Sequence, residues 1–266
     1  MSAPRLYIEG PAFWSPNLPG WDIAFAAFRG EGAPVEPPAK RPAPLVLAPA
    51  ERRRAPDTVA LALEVAAAAI ASAGRNAVDL PCVFVSAHGD LGINDYMCSV
   101  LASDPSVLSP TKFHNSVHNA AVGYWTIGTG CMQASNSVSA YEHSFAAGLL
   151  EAASQCAADQ SPVLIVGYDT AAVGALASVT TSRTMLAVGM VISPERSERT
   201  VAAFDWSLES GPTSAPPLKT GVSETLTLNA MADALPLFEQ LALGGAATLA
   251  MPLSSNLALQ MRLNPP

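Results

Sequence analysis

Three short runs of this chain are almost continuously apolar and bracketed by turn residues: positions 80–86 (Leu-Pro-Cys-Val-Phe-Val-Ser), 162–167 (Pro-Val-Leu-Ile-Val-Gly) and 185–193. Side chains alternate between the two faces of a strand, so such a run is stable only where both faces are covered. Between the runs lie alanine-rich helical patterns. One covers 57–74, with Val59, Leu61, Leu63, Val65, Ala69 and Ile70 spread almost all round; Asp57 or Thr58 is placed to cap it and Gly74 to end it. A second covers 142–158. Buried strands alternating with buried helices predict a layered α/β fold: a mixed, mostly parallel sheet with helices on both faces.

The remaining segments fit around that frame as a single domain over 1–266. Residues 6–10 form a strand candidate, and 94–102, 109–123 and 233–243 read as helical. Positions 201–208 and 256–263 alternate as half-exposed strands do, the latter expected as an antiparallel edge. Residues 200–266 thus complete or cap the sheet. Segment 30–56 carries prolines at 34, 37, 38, 42, 44, 49 and 56, a density that excludes helix and predicts an extended strap ending in a solvated Arg52-Arg53-Arg54 turn.

Composition narrows the function. With 14 Lys+Arg against 22 Asp+Glu the net charge is −8, which disfavours nucleic-acid binding. Half the residues are apolar and only 14% charged, so the chain is not disordered, and part of its surface is expected to be covered by another subunit. No apolar run reaches the length of a membrane span. The N-terminal decapeptide lacks the basic and apolar regions of a signal peptide, and Cys82, Cys98, Cys131 and Cys156 form no CxxC pair. Reduced thiols and the cytoplasm are the expectation.

Phosphate-loop, dinucleotide-binding and nucleophile-elbow motifs are absent. His114 and His118, four apart, could share a metal on a helix, but no third ligand is evident and Asn115 stands where a metalloprotease carries Glu; side chains fixing a loop are the simpler reading. Cys131, after Thr129-Gly130, is either a buried small hydrophobe or a nucleophile.

The stretch from Asn119 through Gly123, Thr126-Ile127, Gly130, Ser135 and Ser139 to Glu142 resembles, without gaps, the run entering the active site of β-ketoacyl-ACP synthases. The strand at 163–167 and the run 187–195 are similar to later strands of that family, so the resemblance covers about 5–195 and implies half of a thiolase-like fold. In that register the family's nucleophilic Cys falls on Glu142, and Cys131 lies eleven residues upstream. No histidine follows His143, whereas active ketosynthases take two from their C-terminal half. A carboxylate cannot form the thioester of a condensation. With Phe-His-Asn-Ser-Val-His-Asn at 113–119 and Ser-Phe-Ala-Ala-Gly-Leu-Leu-Glu-Ala at 144–152, the chain looks like the short, half-length chain-length-factor proteins of aryl polyene pathways.

That resemblance implies no catalytic residue and no cofactor or metal. It implies a heterodimer with an active β-ketoacyl-ACP synthase, and through it indirect contact with an acyl carrier protein. The strand at 135–140 (Ser135, Asn136, Ser137, Val138, Ser139, Ala140) would pair with the partner's equivalent, and Tyr96, Met97, Phe113 and Trp125 would wall the acyl tunnel. Glu142 would bond backbone N–H groups at its helix start, worth about 0.3–1 kcal/mol, or else mimic an acylated thiol or help a decarboxylation. Two alternatives stand beside this: an acyltransferase using Cys131 with His114 or His118 as base, and a carrier-protein-binding scaffold, which like-charge repulsion disfavours.

Overall fold

The computed structural model describes residues 4–266. Its strands are β1 (Leu6–Trp14), β2 (Cys82–Val85), β3 (Ser135–Val138), β4 (Val163–Asp169), β5 (Leu186–Ser193), β6 (Thr200–Ser210), β7 (Ala247–Ser254) and β8 (Leu257–Asn264). They form one eight-stranded sheet in the order β3-β2-β4-β5-β1-β6-β8-β7. The helices are α1 (Trp21–Phe28), α2 (Pro49–Arg54), α3 (Asp57–Ala73), α4 (Leu91–Ser103), α5 (Pro110–His114), α6 (Ala120–Thr129), α7 (Ser144–Asp159), α8 (Gly221–Glu224) and α9 (Leu235–Leu243).

The continuous apolar runs are the sheet's centre, and successive residues serve opposite cores. Val83, Val85, Val163, Ile165, Val188 and Met190 pack toward Phe145 and Leu149 of α7 and Phe238 of α9. Phe84, Leu164, Val166, Ala187 and Val191 pack toward α3 and, through Trp125, α6. This two-sided burial makes the thiolase-like, helix-flanked layering read from the sequence. α3 is buried almost all round and stops at Gly74, whose left-handed φ of 62° closes the helix. No side chain caps its start, however: Thr58 instead gives its hydroxyl to Asp90 at 2.8 Å. On the other face α7 crosses β2 closely at Gly148, where a Cβ would lie 2.2 Å from Val85 Cγ2.

Strand direction departs from expectation. Only the run β3-β2-β4 is parallel; the five other neighbouring pairs are antiparallel. The sheet is mixed, but not mostly parallel, because both faces of β5 and β1 are covered by helices that belong to other crossovers; burial reveals itself in the sequence and direction does not. Residues 200–266 extend the sheet beyond β1, and β8 is not its edge: β7 lies outside it. The Arg52–Arg54 run closes the short helix α2 rather than a turn, and the helical pattern at 109–123 breaks into α5 and α6. Among the described residues no helix is long and apolar enough to cross a membrane.

Candidate functional site

The parallel strands β2 and β4 end side by side, with Val85 opposite Gly167, so the loops that follow them converge. Ser86 gives its hydroxyl to Asp169 Oδ1 at 2.8 Å, and the Ala87 N–H donates to Asp169 Oδ2 at 2.9 Å. Asp169 is 1% exposed. Burial pushes its carboxyl up to about 7, against the lowering effect of these hydrogen bonds. A ring nitrogen of His118 lies 2.9 Å from the Ser86 carbonyl, while His114 sets its ring against Tyr124. The two imidazoles thus engage different partners.

Beside this loop cluster β3 runs into α7 through a tight turn. Tyr141 has φ 52°, a left-handed conformation that costs a non-glycine residue about 1–3 kcal/mol. Ser144 holds the turn from both sides, accepting the Ala140 N–H at 3.0 Å and donating to the Tyr141 carbonyl at 2.8 Å. The Tyr141 ring meets His88 edge-on, with centroids 5.7 Å apart, and His88 in turn lies 3.1 Å from Thr180 Oγ1. Burial lowers the His88 pKa. A strained residue between a strand and a buried helix is the geometry of a nucleophile elbow, in which the strained residue itself carries the exposed side chain; here that residue is Tyr141.

The residue after it is Glu142. It is exposed and makes no hydrogen bond or ion pair among the described residues. Glu142 does not cap the helix. The cap is Asp233, which arrives from a distant part of the chain and accepts the N–H groups of Phe145 and Ala146 through Oδ2 at 2.8 and 3.3 Å. Its Oδ1 is buried without a partner, and burial, with a smaller contribution from nearby Asp169, raises its pKa to about 7. The seat expected for Glu142 is therefore filled, and Glu142 is left free.

Glu142, Ala232 and Asp233 form the wall between two cavities. One, of about 460 Å³, is polar, with His88, Thr180, Arg183 and Asn229 around it. The other, of about 490 Å³, is apolar, bounded by Ala146, Pro216, Leu218, Pro236, Met251 and Pro252.

The other residues singled out from the sequence lie elsewhere. Cys131 follows the end of α6, is 3% exposed, and points its thiol at the Leu80 carbonyl 3.5 Å away, not at the mouth of α7. Trp125 is 2% exposed and packs on Phe84, with centroids 6.4 Å apart. Tyr96 accepts the Ser109 N–H at 3.1 Å and carries Lys112 over its ring. Met97 is half-buried and Phe113 is 59% exposed. None of these five borders either cavity beside Glu142. Ser135 to Val138 form the outermost strand at one end of the sheet, joined only to β2, and Ser139 and Ala140 lead into the turn.

Sequence reasoning missed His88, Arg183, Asp169 and Asp233. A charged residue ending an unbroken apolar strand marks Asp169; nothing local marks Asp233, whose partners are 88 and 87 positions away.

A helix-flanked mixed sheet whose edge strand enters a buried helix through a strained elbow defines half of a thiolase-like fold. The chain belongs to the β-ketoacyl synthase N-terminal domain family, whose model matches residues 30–234. Solved structures agree on the fold. A chain of the ketosynthase (ApeO) in complex with its chain length factor (ApeC) from Xenorhabdus doucetiae aligns with TM-score 0.70 at 22% identity, covering 98% of this chain and 99% of that one. The ishigamide ketosynthase/chain length factor gives TM-score 0.71 at 14% identity, with 98% and 99% covered. The type II PKS complex AntDE:AntF, an acyl-carrier protein with its ketosynthase bound to the hexaketide, gives 0.75 at 8%, with both chains covered fully. No curated protein matches the chain.

Proposed function

We propose that this chain is the non-catalytic, chain-length-factor-like partner of an active β-ketoacyl-ACP synthase. The observation that carries the reading is the elbow: no thiol stands there, its strained residue being Tyr141 and the next the exposed carboxylate of Glu142, while Cys131 is buried against Leu80. A carboxylate cannot hold a growing chain as a thioester. Burial of Cys131, with His114 and His118 engaged by Tyr124 and Ser86, disfavours the acyltransferase alternative.

The partner surface is the free edge of β3 together with the segment before it, which leaves Leu101, Val107, Phe113, Val117, Ile127 and Met132 exposed. Pairing of Ser135–Val138 with the partner's equivalent strand completes the edge. The ketosynthase holds the acyl group on its own Cys and receives the acyl carrier protein, and this chain limits how far the product extends. Met97 and Phe113 reach the surface and would wall the shared tunnel; Tyr96 and Trp125 act from behind them, fixing α5 and α6 in place. An aryl polyene pigment, built by fatty-acid-like elongation in the cytoplasm, is the product class this reading favours.

Co-expression with a ketosynthase encoded beside it tests the proposal. Equal recovery of both chains in one complex, with elongation requiring both, is the expected result. Elongation by the ketosynthase alone at the same rate and product length, or a mass-tagged acyl adduct on Cys131 that is lost in Cys131→Ala, would overturn it.

A further inference from the structure

A helix start offers free N–H groups and the positive end of a dipole, and both favour an anion placed there, a thiolate included. The sixteen-residue helix α7 does not have its start free. Oδ2 of Asp233 takes the N–H groups of Phe145 and Ala146, and the carboxylate is delivered from the turn Ala232–Ala234 that leads into α9. Its other oxygen is enclosed with no partner, and no cation is paired with it among the described residues. Asp233 also borders both cavities that meet at Glu142.

We infer that the Asp233 carboxyl group occupies the seat at the start of α7, and that it keeps a side chain at position 142 from being activated by that helix. The substitution of the family nucleophile is then only half of what separates this site from a condensing one. A thiol placed at 142 would find the N–H groups spent and a carboxylate beside it, and both effects favour the neutral thiol over the thiolate. The other charged groups around the seat are Glu142 and His143 on the elbow, Asp169 at the end of β4, and His88 and Arg183 across the polar cavity. Burial holds Asp233 itself up to about 7, so it is ionised over the higher range in which a thiol at 142 would titrate. The inference concerns the isolated chain and does not depend on the proposed partner.

The test places Glu142→Cys in a Cys98→Ser background, since Cys98 is the exposed thiol and Cys82, Cys131 and Cys156 are buried. It compares this protein with versions also carrying Asp233→Asn or Asp233→Ala. Alkylation of position 142 by iodoacetamide is followed by peptide mass spectrometry across pH, and circular dichroism confirms folding. With Asp233 intact the thiol should titrate at or above its ordinary value of about 8.5. Removing the charge, or the whole carboxylate, should lower the midpoint by about half a pH unit or more, roughly threefold more thiolate at neutral pH. Asp233→Asn retains shape and one acceptor, so it decides the matter if Asp233→Ala does not fold. A midpoint already depressed with Asp233 present, or one that moves less than this in every folded variant, would overturn the inference. A structural cap alone would change stability without moving the thiol.

Discussion

Asp169 and Asp233 are carboxyl groups held near pH 7 by burial, and they make the chain's stability depend on pH in an unusual direction. An unfolded carboxyl releases its proton near pH 3.9. Between that value and about 7 the folded state binds more protons than the unfolded one, so stability falls as pH rises through this window. Each fully differential proton contributes a slope of about 1.4 kcal/mol per pH unit. His88 works in the opposite sense: burial lowers its pKa, so its share is present above the unfolded value of about 6.5 and is lost in acid. Asp169→Asn removes one of the two carboxyl titrations. Urea unfolding at pH 5, 6 and 7 should therefore show a shallower decline than in the unaltered chain, whatever the overall cost of the lost hydrogen bonds. Identical slopes would mean that Asp169 titrates in the ordinary carboxylate range. At this scale the sequence was only partly legible. The buried reading of Cys131 was one of the two its sequence context offered, but the true cap of α7 was not legible, because a hydrogen bond across 88 positions leaves no local pattern.

β3 shows what an edge strand can be made to reveal. The Cys82 and Ser86 N–H groups donate to the Ala134 and Val138 carbonyls, so alternate residues of β3 turn their backbone polar groups toward β2. By that alternation Ser135 and Ser137 turn theirs outward, where a second sheet would take them. Ser137→Pro therefore removes an outward donor and spares the ladder to β2; proline is tolerated at such positions. Copurification with the ketosynthase should fall at least tenfold, while the urea midpoint of the isolated chain shifts only slightly. Undiminished copurification would move the interface away from this edge. Elements were legible where burial is two-sided: β2, β4, β5 and α3 stand within a few residues of their predicted bounds. β7 was not, because its exposure is irregular and Pro252 interrupts it, and it holds its place by pairing with β8 rather than by its own pattern. Strand direction was equally hidden, being a property of the connections and not of the strand.

The whole molecule exposes 11,923 Å², where a folded monomer of its mass would expose about 10,900 Å². The excess, on the order of 1,000 Å², is close to the roughly 800 Å² that one side of a standard interface hides. It falls on a chain with few charges and a row of exposed apolar side chains from Leu101 to Met132 leading to an unpaired edge. Two forces then compete in the isolated protein. Apolar area and the open edge favour association between copies, while the net charge of −8 opposes it over distances that salt shortens to about 10 Å at 0.1 M. Light scattering on the chain alone should accordingly give a mass that rises above 27.4 kDa with concentration, and more so at 0.5 M than at 0.05 M salt. Adding the ketosynthase should collapse the distribution to one complex that salt no longer shifts, because the competing face is then covered. A mass fixed at 27.4 kDa under all these conditions would assign the extra surface to the elongated sheet itself and not to an absent partner.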